Sequence, residues 1–106
     1  LAAGGFRMSG ASNNSRTAVS FGDNFGPNGA VVTYTRISDT VTQVNLNTTL
    51  ATSAYKVRAF EIHPTEGHEG AVSVTFKTTT SFRITHSDDD EVSGANTIHV
   101  KWELYL

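Results

Sequence analysis

The sequence contains no cysteine, which excludes a disulfide framework and any thiolate metal site and leaves packing and backbone pairing to hold the fold. It has no apolar run of about 18 residues, so no membrane insertion is expected. The opening Leu1-Ala2-Ala3-Gly4-Gly5 lacks the charged and apolar regions of a secretion signal. Because the chain does not begin with Met, it reads as a processed product or an excised part of something longer. An excess of charge of one sign is missing too. The 8 basic and 10 acidic residues give a formal net charge of −2, and the basic ones are scattered from Arg7 to Lys101. That distribution gives no footprint for nucleic acid. Nowhere do apolar residues recur at the i, i+3, i+4, i+7 spacing of an amphipathic helix.

What the sequence does have is Thr, Ser, Asn and Gly around a modest 38% of hydrophobic residues, the composition of a β-protein with wet faces. From Ala30 onward the pattern has period two, which places alternate side chains on opposite faces of a strand. Residues 30–37 and 40–46 read as a hairpin joined at Ser38-Asp39, followed by a polar link from Asn47 to Ser53. In the run Tyr55 to His63 the apolar set Tyr55, Val57, Ala59 changes parity to Phe60 and Ile62, as a β-bulge would produce. Val72, Val74 and Phe76, then Phe82 and Ile84, alternate cleanly. So do Ile98, Val100, Trp102, Leu104 and Leu106, the strongest strand pattern in the chain.

Residues 1–30 differ. They hold six of the nine glycines, and only Thr17 to Phe21 alternate. This predicts an extended arm over 1–16 and a single β-domain over 17–106. The fold class expected is all-β, an antiparallel β-sandwich of about seven strands, jelly-roll or immunoglobulin-like, with a small barrel as the alternative.

Two polar clusters are candidate cation sites. Glu61, His63, Glu66, His68 and Glu69 bring imidazole and carboxylate close in sequence, but match no metalloenzyme motif. Asp88, Asp89, Asp90 and Glu91 offer four consecutive carboxylates, whose oxygen chemistry suits Ca²⁺, yet lack the alternation of a helix-loop-helix calcium loop. A solvated acidic turn is the plainer reading, and no cofactor is expected otherwise. Serines, threonines and four histidines are present, but no nucleophile elbow, phosphate loop or zinc-protease pattern, so an enzyme is not expected. Tyr34 and Tyr105 are the aromatics expected on an exposed, ligand-binding face, with Phe25 in the Gly/Asn-rich loop, while Trp102 falls in register with the core. Sequons at Asn13 and Asn47 carry little weight in so Ser/Thr-rich a chain.

Ordering a flexible residue costs about 1–2 kcal/mol in backbone entropy, and residues 1–16 offer only Leu1, Phe6 and Met8 as large apolar anchors. Contacts from neighbouring copies would supply the difference. The leading expectation is therefore a structural, self-assembling subunit of a virion (coat, decoration or tail component) or of an extracellular filament. Its partners would be copies of itself or other structural proteins, held through Leu1, Phe6 and Met8 of the arm and Trp102, Leu104 and Leu106 of the last strand. The alternative is a carbohydrate- or receptor-binding module of adhesin, lectin-like or fibre type, with a glycan partner met through loops 22–29, 64–70 and 87–94. Both place the chain on a virion or outside a cell.

Overall fold

A strand with one apolar face can bury it only against another layer. In the computed structural model, which describes residues 2–9, 17–20, 22–38, 40–62, 72–86 and 99–105, that requirement yields two facing four-stranded antiparallel sheets. In chain order the strands are β1 Ala2–Ser9, β2 Thr17–Ser20, β3 Thr33–Ser38, β4 Val41–Asn45, β5 Lys56–Ile62, β6 Ser73–Thr75, β7 Ser81–Thr85 and β8 His99–Tyr105. The first sheet runs β2-β1-β8-β5 and the second β3-β4-β7-β6. The sheets do not close into a barrel, and four strands plus four departs from the four plus three of an immunoglobulin domain.

The strand beyond the expected seven is β1. Its composition argued for an arm, but residues 2–9 lie inside the first sheet, paired with β8 from Ala2↔Leu104 to Arg7↔His99 and with β2 from Phe6↔Ser20 to Ser9↔Thr17. Residues 2–9 are therefore an inner strand of the first sheet rather than part of an arm outside it. Glycine inside a strand often marks a place where another group comes close, and Gly4 is such a place. A Cβ built there would lie 2.8 Å from Trp102 Cζ2 and 2.8 Å from the Tyr34 hydroxyl, and closer still to Asn24 Oδ1.

A second departure concerns β5. The parity change expected at Phe60 does not occur, because β5 pairs with β8 without a slip from Lys56↔Tyr105 to Ile62↔His99. Continuous alternation sends Phe60 outward, 41% exposed, and buries Glu61 completely. The bulge sits instead in the β3–β4 hairpin, between Arg36 and Ser38.

The core is aromatic and spans both sheets. Trp102 of β8 meets Phe82 of β7 edge-on at 5.3 Å between ring centroids, Phe82 meets Tyr55 at 6.2 Å, and Phe6 of β1 packs on Tyr34 of β3 at 5.0 Å. Full burial of a side chain of this size is worth about 1.5–3 kcal/mol. The link from β4 to β5 is less polar than its composition implied, since Leu46 and Leu50 are both buried. Their N–H groups donate to the Thr80 and Thr79 carbonyls at 2.9 and 2.8 Å. Tyr55 fixes the same corner, its hydroxyl lying 2.8 Å from both the Thr78 and the Ser81 carbonyl oxygens.

Candidate ligand-binding site

Strand parity and register together determine which residues share the outer face of the first sheet. On β8 the outward residues are His99, Lys101, Glu103 and Tyr105; on β1 they are Ala3, Gly5 and Arg7; on β5 they are Lys56, Arg58 and Phe60. Read across the strands, Arg7 lies opposite His99, Gly5 opposite Lys101 opposite Phe60, and Ala3 opposite Glu103 opposite Arg58. Phe25 joins the last row through an isolated antiparallel bridge to Ala3.

The small residues of β1 thus leave a trough between larger side chains. A cleft of about 270 Å³ opens there, lined by Ala3, Gly4, Asp23, Phe25, Phe60, Lys101, Trp102 and Glu103. Phe25 is 55% exposed and Phe60 41%. Leaving two phenyl rings in water forfeits burial energy of about 1.5–3 kcal/mol each, and exposed aromatics around a concavity are what ligand sites use. Asp23, Lys101 and Glu103 supply the convergent polar groups.

The loop that carries Phe25 is held in place before any ligand arrives. Phe25 and Ala3 exchange two backbone hydrogen bonds, of 3.1 and 2.9 Å. Asn24 Oδ1 accepts from the Gly5 N–H at 3.1 Å and from the Tyr34 hydroxyl, while Asn24 Nδ2 donates to the Gly22 carbonyl at 3.1 Å. The Tyr34 oxygen in turn accepts the Trp102 indole N–H at 3.1 Å. This assigns the amide orientation of Asn24 without ambiguity. Burial pushes the Tyr34 phenol up to about 12. Farther along, the Gly26 N–H donates to Ala30 and the Ala30 N–H to Pro27, at 3.0 and 3.1 Å. Asn28 and Gly29 take the left-handed conformation, φ 56° and 76°, that these residue types tolerate best.

No family model, characterised protein or solved structure matches the chain. The site is therefore read from its own chemistry.

Several expected site residues sit elsewhere. Phe6, Met8, Trp102 and Leu104, expected to hold neighbouring copies, are all buried in this chain's own core. Leu1 and Leu106 lie outside the described residues, as do Asp88, Asp89, Asp90 and Glu91 and the His63 to Glu69 part of the other cluster. Among the described residues no three acidic or histidine side chains gather in a way that could hold a metal ion. Tyr34 spends its hydroxyl on Asn24 and Trp102 and so positions the cleft rather than offering itself to a ligand. Tyr105 faces outward on β8, opposite Lys56. The residues that the pattern missed are Phe60, hidden by the assumed parity change, and the pair Asp23 and Glu103.

The outer face of the second sheet has a different character. A groove of about 440 Å³ is lined by uncharged polar residues, Thr33, Gln43, Asn45, Asn47, Thr48, Thr49, Thr80 and Ser81. Many of their donors are already used: Gln43 Nε2 donates to Asn45 Oδ1 at 2.8 Å, Asn45 Nδ2 to Thr35 at 3.0 Å, and Asn47 Nδ2 to the Val31 carbonyl at 2.7 Å. Such a self-satisfied ladder stabilises the sheet.

Proposed function

We propose that this chain is a carbohydrate-binding β-sandwich module, set outside a cell or on a virion surface, that takes a sugar ring in the cleft between Phe25 and Phe60. The observation that carries the reading is the pair of solvent-exposed phenyl rings flanking a concavity whose rim bears Asp23, Lys101 and Glu103. The C–H faces of a pyranose stack on aromatic rings, and its hydroxyls pair with carboxylates and ammonium groups. A site whose loop is already fixed by hydrogen bonds spends little of that energy on ordering.

The sheet edges favour a module over a filament built by strand addition. β2 and β6 are only 4 and 3 residues long. β5 presents Lys56 and Arg58 outward, and β3 carries the bulge and the half-buried Arg36. These are the devices by which natural sheets prevent edge-to-edge pairing. Eight strands in two sheets share their count with a jelly roll, although the β1–β2 and β8–β5 pairings give this domain its own order.

A glycan array probed with the 106-residue chain tests the proposal. Binding should appear for at least one glycan class, and Phe25→Ala and Phe60→Ala should each weaken it about tenfold, the value of one aromatic contact. Binding that both variants leave unchanged would remove the cleft from the argument.

The self-assembling reading retains one observation in its favour: Val31, beside edge strand β3, is 78% exposed, and Ile37 on that strand is 41% exposed. Light scattering over a concentration series decides it. A constant mass near 11.4 kDa would remove that reading, and growth with concentration would support it.

A further inference from the structure

The 8 basic residues look scattered in the sequence, yet strand register gathers four of them, Arg7, Lys56, Arg58 and Lys101, on the one outer face that holds the cleft. His99 stands among them, opposite Arg7 and two residues from Lys101 on the same side of β8. Among the described residues, the acidic groups set against these are Asp23 and Glu103. A chain of net charge −2 thus carries a locally positive face around an aromatic cleft.

Resting on the carbohydrate-binding reading, we infer that the ligand is an acidic polysaccharide of the polyuronate class, with one ring between Phe25 and Phe60 and the carboxylates of its neighbours along Arg7, Lys101 and Arg58. Adjacent strands are about 4.8 Å apart and alternate residues on one strand about 7 Å. Arg7, Lys101 and Arg58 lie one strand over and two residues along from one another, a diagonal of about 8 Å between backbones that suits the carboxylates of alternate rather than successive sugar units. Their local potential steers a polyanion onto the face and fixes its register there. Burial first, and then the flanking cations Arg7 and Lys101, lower His99 from the usual histidine value, and an anion placed beside those cations would relieve their like-charge repulsion. A nucleic acid fits less well. One cleft is not the succession of stacking platforms that a single strand needs.

Calorimetric titration of the 106-residue chain with polygalacturonate, neutral dextran and single-stranded DNA tests the inference. Polygalacturonate should bind at least about tenfold more tightly than dextran. Its binding should largely disappear at about 1 M salt, where the screening length falls to about 3 Å. The double variant Arg7→Gln/Lys101→Gln should weaken binding about tenfold with its thermal unfolding unchanged. Should that variant unfold early, Lys56→Gln/Arg58→Gln at exposed positions provides the same reading. Equal binding of dextran and polygalacturonate, insensitive to salt, would overturn the charge argument and leave the carbohydrate site standing. Tighter binding of DNA would overturn the ligand class. Binding of none of the three, with an empty glycan array, would overturn both readings.

Discussion

The indole N–H of Trp102 donates to the hydroxyl of Tyr34 across the interior, at 3.1 Å, and so ties β8 of the first sheet to β3 of the second. The same hydroxyl donates onward to Asn24 Oδ1, which also takes the Gly5 N–H. Core, strand and loop therefore share one oxygen atom, and the loop it reaches is the one that bears Phe25.

Tyr34→Phe removes that oxygen and keeps the ring that packs on Phe6. It leaves the Trp102 N–H without this acceptor, which costs about 1–3 kcal/mol. A matching fall in the midpoint of denaturant unfolding is expected. Glycan binding should weaken as well, although residue 34 does not line the cleft, because Asn24 loses the Tyr34 hydroxyl as a donor. Unchanged stability would mean that the hydrogen bond carries no net weight.

Ionisation gives the same residue a second signature. The folded value near 12 lies above the ordinary tyrosine value of 10.0, so the neutral phenol is the form that folding favours. That contribution to stability is fully present below about pH 10 and is lost as the pH rises toward 12. Burial also pushes the Tyr55 phenol up. Tyrosinate absorbance at alkaline pH should show a late-titrating population that coincides with alkaline unfolding, and Tyr34→Phe should reduce it.

Gly4→Ala asks whether β1 is a true inner strand. The new methyl group would press on Trp102, Tyr34 and Asn24 together. A loss of about 1–3 kcal/mol is expected from such overpacking, measured by thermal or denaturant unfolding. A tolerated alanine would mean that residues 2–9 do not pack as described.

These residues also explain how far the sequence could be read. Strands β7 and β8 were legible because each places apolar residues such as Phe82 and Trp102 on alternate positions. β1 was not, since Gly4 and Gly5 carry no side chain to reveal a face, and the reason for them lies in partners 19 and more residues away. At Phe60 and Glu61 the rule that apolar residues point inward failed at both positions. The loop bearing Phe25 was recognised, but its aromatic partner across the cleft was not. The basic face was invisible because Arg7, Arg58 and Lys101 become neighbours only through the strand order β1-β8-β5, which one sequence does not encode locally.

Thr42→Val tests a buried polar contact on the inner face of the second sheet. Thr42 Oγ1 lies 2.9 Å from His86 Nε2, and the His86 ring meets Phe6 edge-on at 5.9 Å. Valine preserves the shape and leaves the imidazole nitrogen without this partner, a loss of about 1–3 kcal/mol. Unfolding in denaturant should show it as a lower midpoint with an unchanged slope; an unaltered midpoint would mean that His86 is satisfied without Thr42.

His99 provides a test of the basic face that needs no ligand. Arg7 on β1 and Lys101 on β8 face it, and its register partner on β5, Ile62, is uncharged. Burial, then Arg7 and Lys101, lower its folded value, so folding favours the neutral ring. Its contribution to stability is present above the unfolded value of about 6.5, is lost as the pH falls through that value, and levels off below the folded one. Two-dimensional NMR should follow the His99 ring titrating below the usual range, and Arg7→Gln should move that titration upward by removing one of the two cations. Polygalacturonate should move it upward as well, because a bound carboxylate favours the protonated ring. Binding of that polymer should accordingly take up protons and strengthen as the pH falls below about 6.5 toward the folded value. A His99 titration that neither the substitution nor the polymer shifts would mean that the charges on this face do not act together.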